Sequence, residues 1–413
     1  MISERYKGAR DLLPEDTERF RYINDAFVDS CIKWGYKEVK TSTLEYLHLF
    51  TAAGTLTPSM LNRVYSFLDW DGWSGERVVL RPDGTIPVAR LYVENLSEKG
   101  IAKLFYLTNV FSYEETGKES RERWQCGTEL IGDKRPTSDV ELLIMAIEIL
   151  EKLGIRTKVQ LSHAGVLKAL INNLDLGSER ETELLNQIRE GNWKNLSKIK
   201  TNDPDKERLV SMLIDLKGKS SGYLKNIKAL PGVSPELGKE LDNFIEITDL
   251  IDTLDYEYQI DITSTRRFEY YTGLCFQFFS GREKIGGGGR YDDLIPLVGG
   301  LKTPACGFAL YIEPLMKLVK PGTGINIEQG VLIQGATGDK GIVKSCFQLA
   351  QSLRSLGYIA ELNFSNSETN WRWTVRIQKS ADTFIVLDTK SNKESAASSI
   401  ESVINIIGGS PEN

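Results

Sequence analysis

Arg121-Glu122-Arg123-Trp124-Gln125-Cys126-Gly127-Thr128-Glu129-Leu130-Ile131-Gly132 reads as a strand. At its period of two, Gln125, Gly127 and Glu129 fall on one face, alternating with Trp124, Cys126 and Thr128. Taken alone, that alternation describes a solvated sheet face as well as a binding face. Immediately upstream, Phe105 to Tyr113 is a second strand, and the polar, charged stretch Glu114 to Glu122 joins the two as an antiparallel pair.

Before this pair, Lys7 to Pro14 is a loop, and a helix runs from Pro14 to about Trp34 with acids beside its start. Val39 to Leu44 is expected as a short strand. Val64 to Asp69 and Arg77 to Pro82 follow as two more, with a turn over Asp71 to Glu76. In Leu80-Arg81-Pro82-Asp83-Gly84-Thr85 the strand ends at Pro82, and Thr85 caps a helix through Tyr92. An N-cap accounts for this carboxylate and hydroxyl without any ligand.

Ser138-Asp139-Val140-Glu141 opens an amphipathic helix ending near Gly154. From about 164 to 250, leucine and isoleucine recur at three- and four-residue steps. That pattern predicts an all-helical insertion between halves of a mostly antiparallel sheet. Tyr258 to Ile262, Tyr271 to Phe279 and Ala305 to Leu310 return to strand character. Thr265-Arg266-Arg267-Phe268-Glu269-Tyr270-Tyr271-Thr272-Gly273 gathers cations and phenols, although a charged surface loop would have the same look. Gly286-Gly287-Gly288-Gly289-Arg290-Tyr291-Asp292-Asp293-Leu294 admits close backbone approach to a ligand or a plain hairpin loop. It lacks the GK[ST] ending of a phosphate loop.

At 413 residues, 41% hydrophobic and 26% charged, the chain has the composition of a globular protein of two or three domains. A net charge of -6 argues against a general nucleic-acid binder. Five scattered cysteines without a CxxC pair, and only His48 and His163, make a zinc site improbable and predict reduced, buried thiols. No apolar leader and no 18-residue apolar run occur, so a cytoplasmic protein without a membrane partner is expected. Near Pro321-Gly322-Thr323-Gly324 the composition changes to that of a linker. Beyond it come strands at Gly330 to Gly335, Tyr358 to Leu362 and Thr383 to Leu387. Helices are expected at Lys340 to Leu356, Trp371 to Gln378 and Glu394 to Ile407, giving a small α/β domain with parallel pairing. Trp371-Arg372-Trp373 would suit base stacking or partly buried packing.

Together, the Leu80–Thr85, Gln125–Gly132, Arg266–Thr272 and Gly288–Asp292 motifs resemble the histidyl-tRNA synthetase family in order and approximate spacing, over roughly residues 6 to 318. The C-terminal domain is more loosely similar to that family's anticodon-binding module. The resemblance implies an α+β fold: a class II synthetase-like antiparallel sheet with helices over residues 1–320, its helical insertion at about 164–250, and a small α/β domain over 328–413. By the same resemblance, Asp83 and Thr85 hold a substrate ammonium, Gln125 and Arg266 face its carboxylate, and Glu129, Tyr271 and Tyr291 wall its imidazole. Free histidine needs that set: an anion, a cation, and polar partners for both ring nitrogens. The family's acid at position 83 is usually glutamate, and its residue at position 267 is glycine. Arg121 matches an ATP-contacting arginine, which would leave some affinity for anions.

Three landmarks depart from the family. They lie in Gly35 to Glu45, Asn109 to Glu115 and Thr303 to Pro314. Ser42 stands where the resemblance implies proline, and Ser112 and Pro314 where it implies the arginines that neutralise ATP phosphates. An intact amino-acid half with a crippled nucleotide half resembles the ATP phosphoribosyltransferase regulatory subunits, synthetase paralogues of histidine biosynthesis. That resemblance implies a non-catalytic protein without catalytic residues, cofactor or metal. It also implies a homodimer within a hetero-oligomer containing the short-form ATP phosphoribosyltransferase catalytic subunit, with histidine as a feedback ligand and no role for tRNA. The alternative is a working histidyl-tRNA synthetase, with cations such as Arg121 and Arg123 replacing the lost arginines.

Overall fold

The computed structural model describes residues 5–52, 63–70, 75–113, 120–189, 199, 201, 203–215, 218–264, 270–320, 329–364, 371–378 and 383–408. It divides into two compact units, Met1–Pro321 and Gly322–Asn413. Among the described residues, no helix is long and apolar enough to cross a membrane.

The first unit is built on an eight-stranded sheet. In chain order its strands are β1 (Lys37–Glu38), β5 (Ala102–Phe111), β6 (Glu122–Ile131), β7 (Lys158–His163), β8 (Gln259–Ile260), β9 (Leu274–Ser280), β10 (Glu283–Arg290) and β11 (Ala305–Tyr311). Their spatial order is β1-β5-β6-β11-β10-β9-β7-β8. Only the outermost pairs, β1 with β5 and β7 with β8, are parallel; the interior is antiparallel. The four-glycine run is therefore no hairpin loop: Gly286 to Gly289 lie inside β10, paired on both sides. The reason is space, since a β-carbon at Gly288 would lie 2.1 Å from the Gly307 carbonyl oxygen.

Helix α1 (Pro14–Lys33) starts at its proline with Glu15 and Asp16 in the first turn, and it buries Ile23, Phe27 and Cys31. Helix α4 (Pro136–Lys152) is not amphipathic as expected. It lies between α1, β11 and a helix of the insertion, so side chains on nearly every side of it are buried. The insertion itself comprises α5 (Ala164–Asn172), α6 (Ser178–Arg189), α7 (Pro204–Ile214), α8 (Ser221–Lys228) and α9 (Pro235–Thr253). Helices α7 and α9 each open with proline in the first turn, behind caps made by Asp203 and Ser234.

A smaller antiparallel sheet joins β2 (Leu44–Tyr46), β3 (Ser66–Trp70) and β4 (Gly75–Leu80), followed by α2 (Leu47–Ala52) in sequence after β2 and α3 (Thr85–Asn95) after β4. The single strand expected over Val39 to Leu44 is thus two short ones in different sheets. The Arg81 guanidinium explains the break: it donates to the carbonyls of Thr41 (3.0 Å) and Ser42 (2.9 Å), turning that backbone away from strand pairing. Arg81 also donates to the Asn109 carbonyl and side chain, both at 2.7 Å, which ties the small sheet to β5.

The second unit is a five-stranded sheet in the order β13-β12-β14-β15-β16, with helices α12 (Lys340–Ser355) and α13 (Ile400–Gly408). Its strands are β12 (Gly330–Gln334), β13 (Ile359–Asn363), β14 (Trp373–Ile377), β15 (Phe384–Asp388) and β16 (Lys393–Ala397). Pairing is parallel among β13, β12 and β14 but antiparallel from β14 through β16. Two expected helices are corrected here. Trp371 to Gln378 contains β14, which pairs with β12 on one side and β15 on the other and buries all its residues but Arg376. Glu394 to Ile407 is split between edge strand β16 and α13. Trp373 packs in the core, Trp371 Nε1 donates to Glu361 at 2.6 Å, and the Arg372 guanidinium lies 5.2 Å from the Trp373 ring centroid. The segment is packing.

Candidate functional site

Strand β6 carries Glu129 into the interior, where only 1% of it is exposed. Its carboxylate accepts from the Tyr106 hydroxyl at 3.2 Å and from the Tyr291 hydroxyl. Gln125 Nε2 donates to the same Tyr106 oxygen at 3.3 Å, and the Thr85 hydroxyl lies 3.5 Å from it. Burial pushes the Glu129 carboxyl up to about 8, against the opposing hydrogen bonds from Tyr291, Thr85 and Tyr106. At neutral pH the group is held largely protonated, and a cationic ligand atom is the natural partner for its charged form.

Two glycines open this space. Gly127 pairs with Tyr106 across β5 and β6, and a β-carbon there would lie 2.2 Å from the tyrosine ring. Gly84 is similar, its β-carbon falling 2.5 Å from both Gln125 Nε2 and the Tyr106 ring. Asp83 precedes α3, and its Oδ1 accepts from the Ile86 amide at 3.0 Å. Thr85 is not the cap as expected, because it is already the first helical residue; Gly84 is the N-cap, and the Ile86 amide is met by Asp83 from one residue further out.

A cavity of about 760 Å³ brings Asp83, Thr85, Gln125, Tyr271 and Tyr291 together, with Tyr270 among them. Glu129 is not among the residues that line it; its carboxylate accepts from Tyr291, which does, and from Tyr106. Arg266 lies outside the described residues, as does Arg267. Tyr271 is braced from the insertion, where Lys168 Nζ donates to its carbonyl at 3.2 Å. Beneath the site, Arg290 makes a buried pair with Asp139 at 2.8 Å and also reaches Asp292, which accepts from the Ala305 amide. Burial pushes Asp139 up to about 6 even against Arg290.

The cavity extends past Ser120, Arg123, Lys284, Glu313, Pro314 and Lys317, towards the region of the departed landmarks. Pro314 sits in the first turn of α11 (Ile312–Leu318), which follows the short α10 (Leu294–Leu297) and β11, and the Ser112 amide donates to the Arg121 carbonyl. Among these cations, Lys317 is already paired with Glu283 at 2.7 Å. Arg121 does not line the cavity. It is buried, stacked between the Tyr6 ring (5.2 Å) and the Tyr113 ring (4.8 Å), and it donates to the Tyr6 hydroxyl at 2.8 Å. The resemblance implies some affinity for anions at Arg121; in this structure its guanidinium faces two aromatic rings and the Tyr6 hydroxyl.

Tyr106 was not among the sequence-level candidates, and neither was the Asp139–Arg290 pair. For Tyr106 a signal existed: an aromatic facing a strand glycine, legible only once the β5–β6 register is known. All five cysteines are free and buried.

The histidyl-tRNA synthetase family model matches residues 8–315. A crystal structure from Bacillus halodurans, described as an ATP phosphoribosyltransferase regulatory subunit/histidyl-tRNA synthetase, shares the fold with a TM-score of 0.78 at 24% identity, over 91% of this chain and 98% of that one. The apo Staphylococcus aureus histidyl-tRNA synthetase does so at 0.69 and 21%, over 99% of each. Fold and site together define a class II aminoacyl-tRNA synthetase-like protein. A Dehalococcoides mccartyi protein named ATP phosphoribosyltransferase regulatory subunit is 45% identical over 98% of both chains. A Methanocaldococcus jannaschii histidine–tRNA ligase reaches 32%, over 88% of this chain and 86% of its own. The chain belongs to the ATP phosphoribosyltransferase regulatory subunits, a non-catalytic branch of the histidyl-tRNA synthetase family.

Proposed function

We propose that this chain is the subunit a short-form ATP phosphoribosyltransferase requires to form phosphoribosyl-ATP, the first step of histidine biosynthesis, and that free histidine binds in the Glu129 pocket as the feedback signal. Two copies pair as a homodimer within the larger hetero-oligomer. The observation that carries the reading is the asymmetry of one cavity. Its inner end is lined by Asp83, Thr85, Gln125 and Tyr291, the last bonded to the Glu129 carboxylate. The outer end has Pro314 where the resemblance implies a cation, Lys317 paired with Glu283, and Arg121 held off the cavity between two tyrosines. In the complex, Asp83 and Thr85 hold the ammonium of histidine, Gln125 and Arg266 its carboxylate, and Glu129, Tyr271 and Tyr291 its ring.

The test is reconstitution with a short catalytic subunit. Phosphoribosyl-ATP should form only when both proteins are present, and histidine should inhibit the pair. Glu129→Gln should keep the activation while weakening inhibition by roughly tenfold or more, the worth of a charge-assisted contact. A catalytic subunit fully active alone, or histidine inhibition unchanged in Glu129→Gln, would overturn the respective half. Light scattering of the chain by itself should give the mass of a dimer.

A further inference from the structure

At one end of the large sheet Ala102, Ile131 and Ala305 stand side by side, Ile131 paired with both of the others. The segments around these strand ends expose three large apolar side chains: Ile101 at 52%, Leu297 on α10 at 46% and Leu301 at 87%. Leu301 is the most exposed large apolar residue among the described ones, yet its backbone is held. Gly299, at a φ of +93°, closes α10 with its amide on the Pro296 carbonyl, and the Gly300 amide bonds the Ile295 carbonyl. The Thr303 hydroxyl donates to the Leu301 carbonyl at 3.0 Å. The Gly132 amide reaches the Pro304 carbonyl at 2.7 Å, and a β-carbon at Gly132 would lie 3.1 Å from the Ile101 α-carbon. The Ile101 and Leu301 segments thus meet across Gly132 as one surface. Lys99, Lys134 and Lys302 rim it, exposed and without an ion pair among the described residues. Arg135 is paired with Asp133 and Lys103 with Glu141, which leaves Glu98 as the exposed acid beside the three lysines. The patch is basic on a chain whose net charge is -6.

We propose that this strand end is the docking surface for the short catalytic subunit, with Leu301 as its apolar anchor and the three lysines facing an acidic rim on that partner. The assignment rests on the reading of the chain as that subunit's activator. An apolar centre inside a charged rim is the anatomy of a protein interface, and opposite charge on the partner sets its orientation. Because the Leu301 loop is already fixed by its hydrogen bonds, little conformational entropy is lost when it docks. A membrane surface fits less well, since the three apolar side chains stand on separate short segments and form no continuous amphipathic helix. The position also suits regulation. Gln125 and Tyr311, which line the cavity, sit at the opposite ends of β6 and β11, about 20 Å away along the strands. A partner seated on Leu301 leaves that end of the cavity uncovered.

The experiment is titration of the short catalytic subunit with the full chain, followed by calorimetry and light scattering, for wild type, Leu301→Glu and the pair Lys134→Glu with Lys302→Glu. Leu301→Glu should bind the catalytic subunit roughly tenfold or more weakly than wild type does. Its own mass and thermal midpoint should stay those of the wild type, because an exposed side chain has little packing to lose. The lysine pair should slow association and weaken its dependence on salt. Wild-type affinity in Leu301→Glu overturns the assignment, and unaltered association in the lysine pair overturns the acidic rim. A fall of Leu301→Glu from dimer to monomer would give the face to a second copy of this chain and overturn it as well. So would Leu301-dependent sedimentation of the wild type with phosphatidylglycerol vesicles, which would give it to a membrane. Failure of the wild type to associate with the catalytic subunit removes the activator reading and this assignment together, whereas a loss confined to the variants leaves that reading standing and supports the surface.

Discussion

Gly307 stands directly opposite Glu129 on the paired strands β11 and β6, and a β-carbon at Gly307 would lie 1.8 Å from Glu129 Oε2. The Thr128 carbonyl oxygen, 2.6 Å from the same point, is backbone and cannot yield. Glu129 therefore owes its position to the absence of a side chain across the ladder. Gly307→Ala should displace the carboxylate from Tyr106 and Tyr291 and overpack the sheet, at a cost of about 1–3 kcal/mol. Urea unfolding reads the loss, and calorimetry should show histidine binding abolished. Wild-type affinity in Gly307→Ala would mean the carboxylate has room that the geometry denies it.

The raised Glu129 carboxyl makes a pH prediction whose sign follows from linkage. Between its unfolded value of 4.5 and about 8 in the fold, the native state holds more protons than the unfolded state. Its stabilising contribution is therefore complete below 4.5 and lost as pH rises through 8. Asp139, raised to about 6, acts in the same direction but is exhausted near that pH. His163, lowered to about 4 by burial, acts oppositely and only below 6.5. From pH 6.5 to 8 the wild type should lose stability relative to Glu129→Gln, by an amount on the order of a few kcal/mol. Parallel thermal midpoints for the two proteins across that window would contradict the buried, protonated carboxyl.

Asp139 and Arg290 predict a large effect from a small change. Both are nearly fully buried, and the guanidinium makes contacts of 3.0 and 2.8 Å to one carboxylate oxygen through Nε and Nη2. Asp139→Asn leaves the buried cation with only the more exposed Asp292 carboxylate at 3.2 Å, and breaking a buried pair typically costs about 3–5 kcal/mol. Replacing both residues with apolar ones of similar volume should cost less than the single change. Urea midpoints of the two variants decide the order.

The pocket was legible in the sequence to the extent that one strand's period could reveal it. Alternation alone put Gln125, Gly127 and Glu129 on one face. What strand period does not contain is register: Glu129 against Gly307 and Tyr106 against Gly127 depend on how distant strands align. Arg290 finds Asp139 across 151 residues, a separation no local pattern encodes. In the second unit, Trp373-Thr374-Val375-Arg376-Ile377 is too short for its pattern to separate helix from strand, and pairing with β12 and β15 decides it. Strand β16, Lys393-Glu394-Ser395-Ala396-Ala397, is strand only because β15 offers an edge to pair with. Its own residues have weak strand preference.

The last prediction concerns ATP. Amino-acid activation needs preorganised positive charge where the phosphates sit, and each lost donor typically costs a factor of about 10² to 10³ in rate. At two positions where the family resemblance implies such charge this chain carries Ser112 and Pro314, and neither side chain can bear charge. Arg121, the cation the resemblance implies at a third, is stacked between Tyr6 and Tyr113 and donates to the Tyr6 hydroxyl. Tyr6 cannot simply be displaced by a nucleotide, because the Arg121 amide is also bonded to the Gly8 carbonyl at 2.8 Å, pinning the segment that carries it. Purified protein should show no histidine-dependent exchange of pyrophosphate into ATP, and Tyr6→Ala should not confer it. Exchange at ordinary enzyme concentrations would show that Arg123 and Lys284 suffice at the outer end of the cavity, and would return the chain to the ligases.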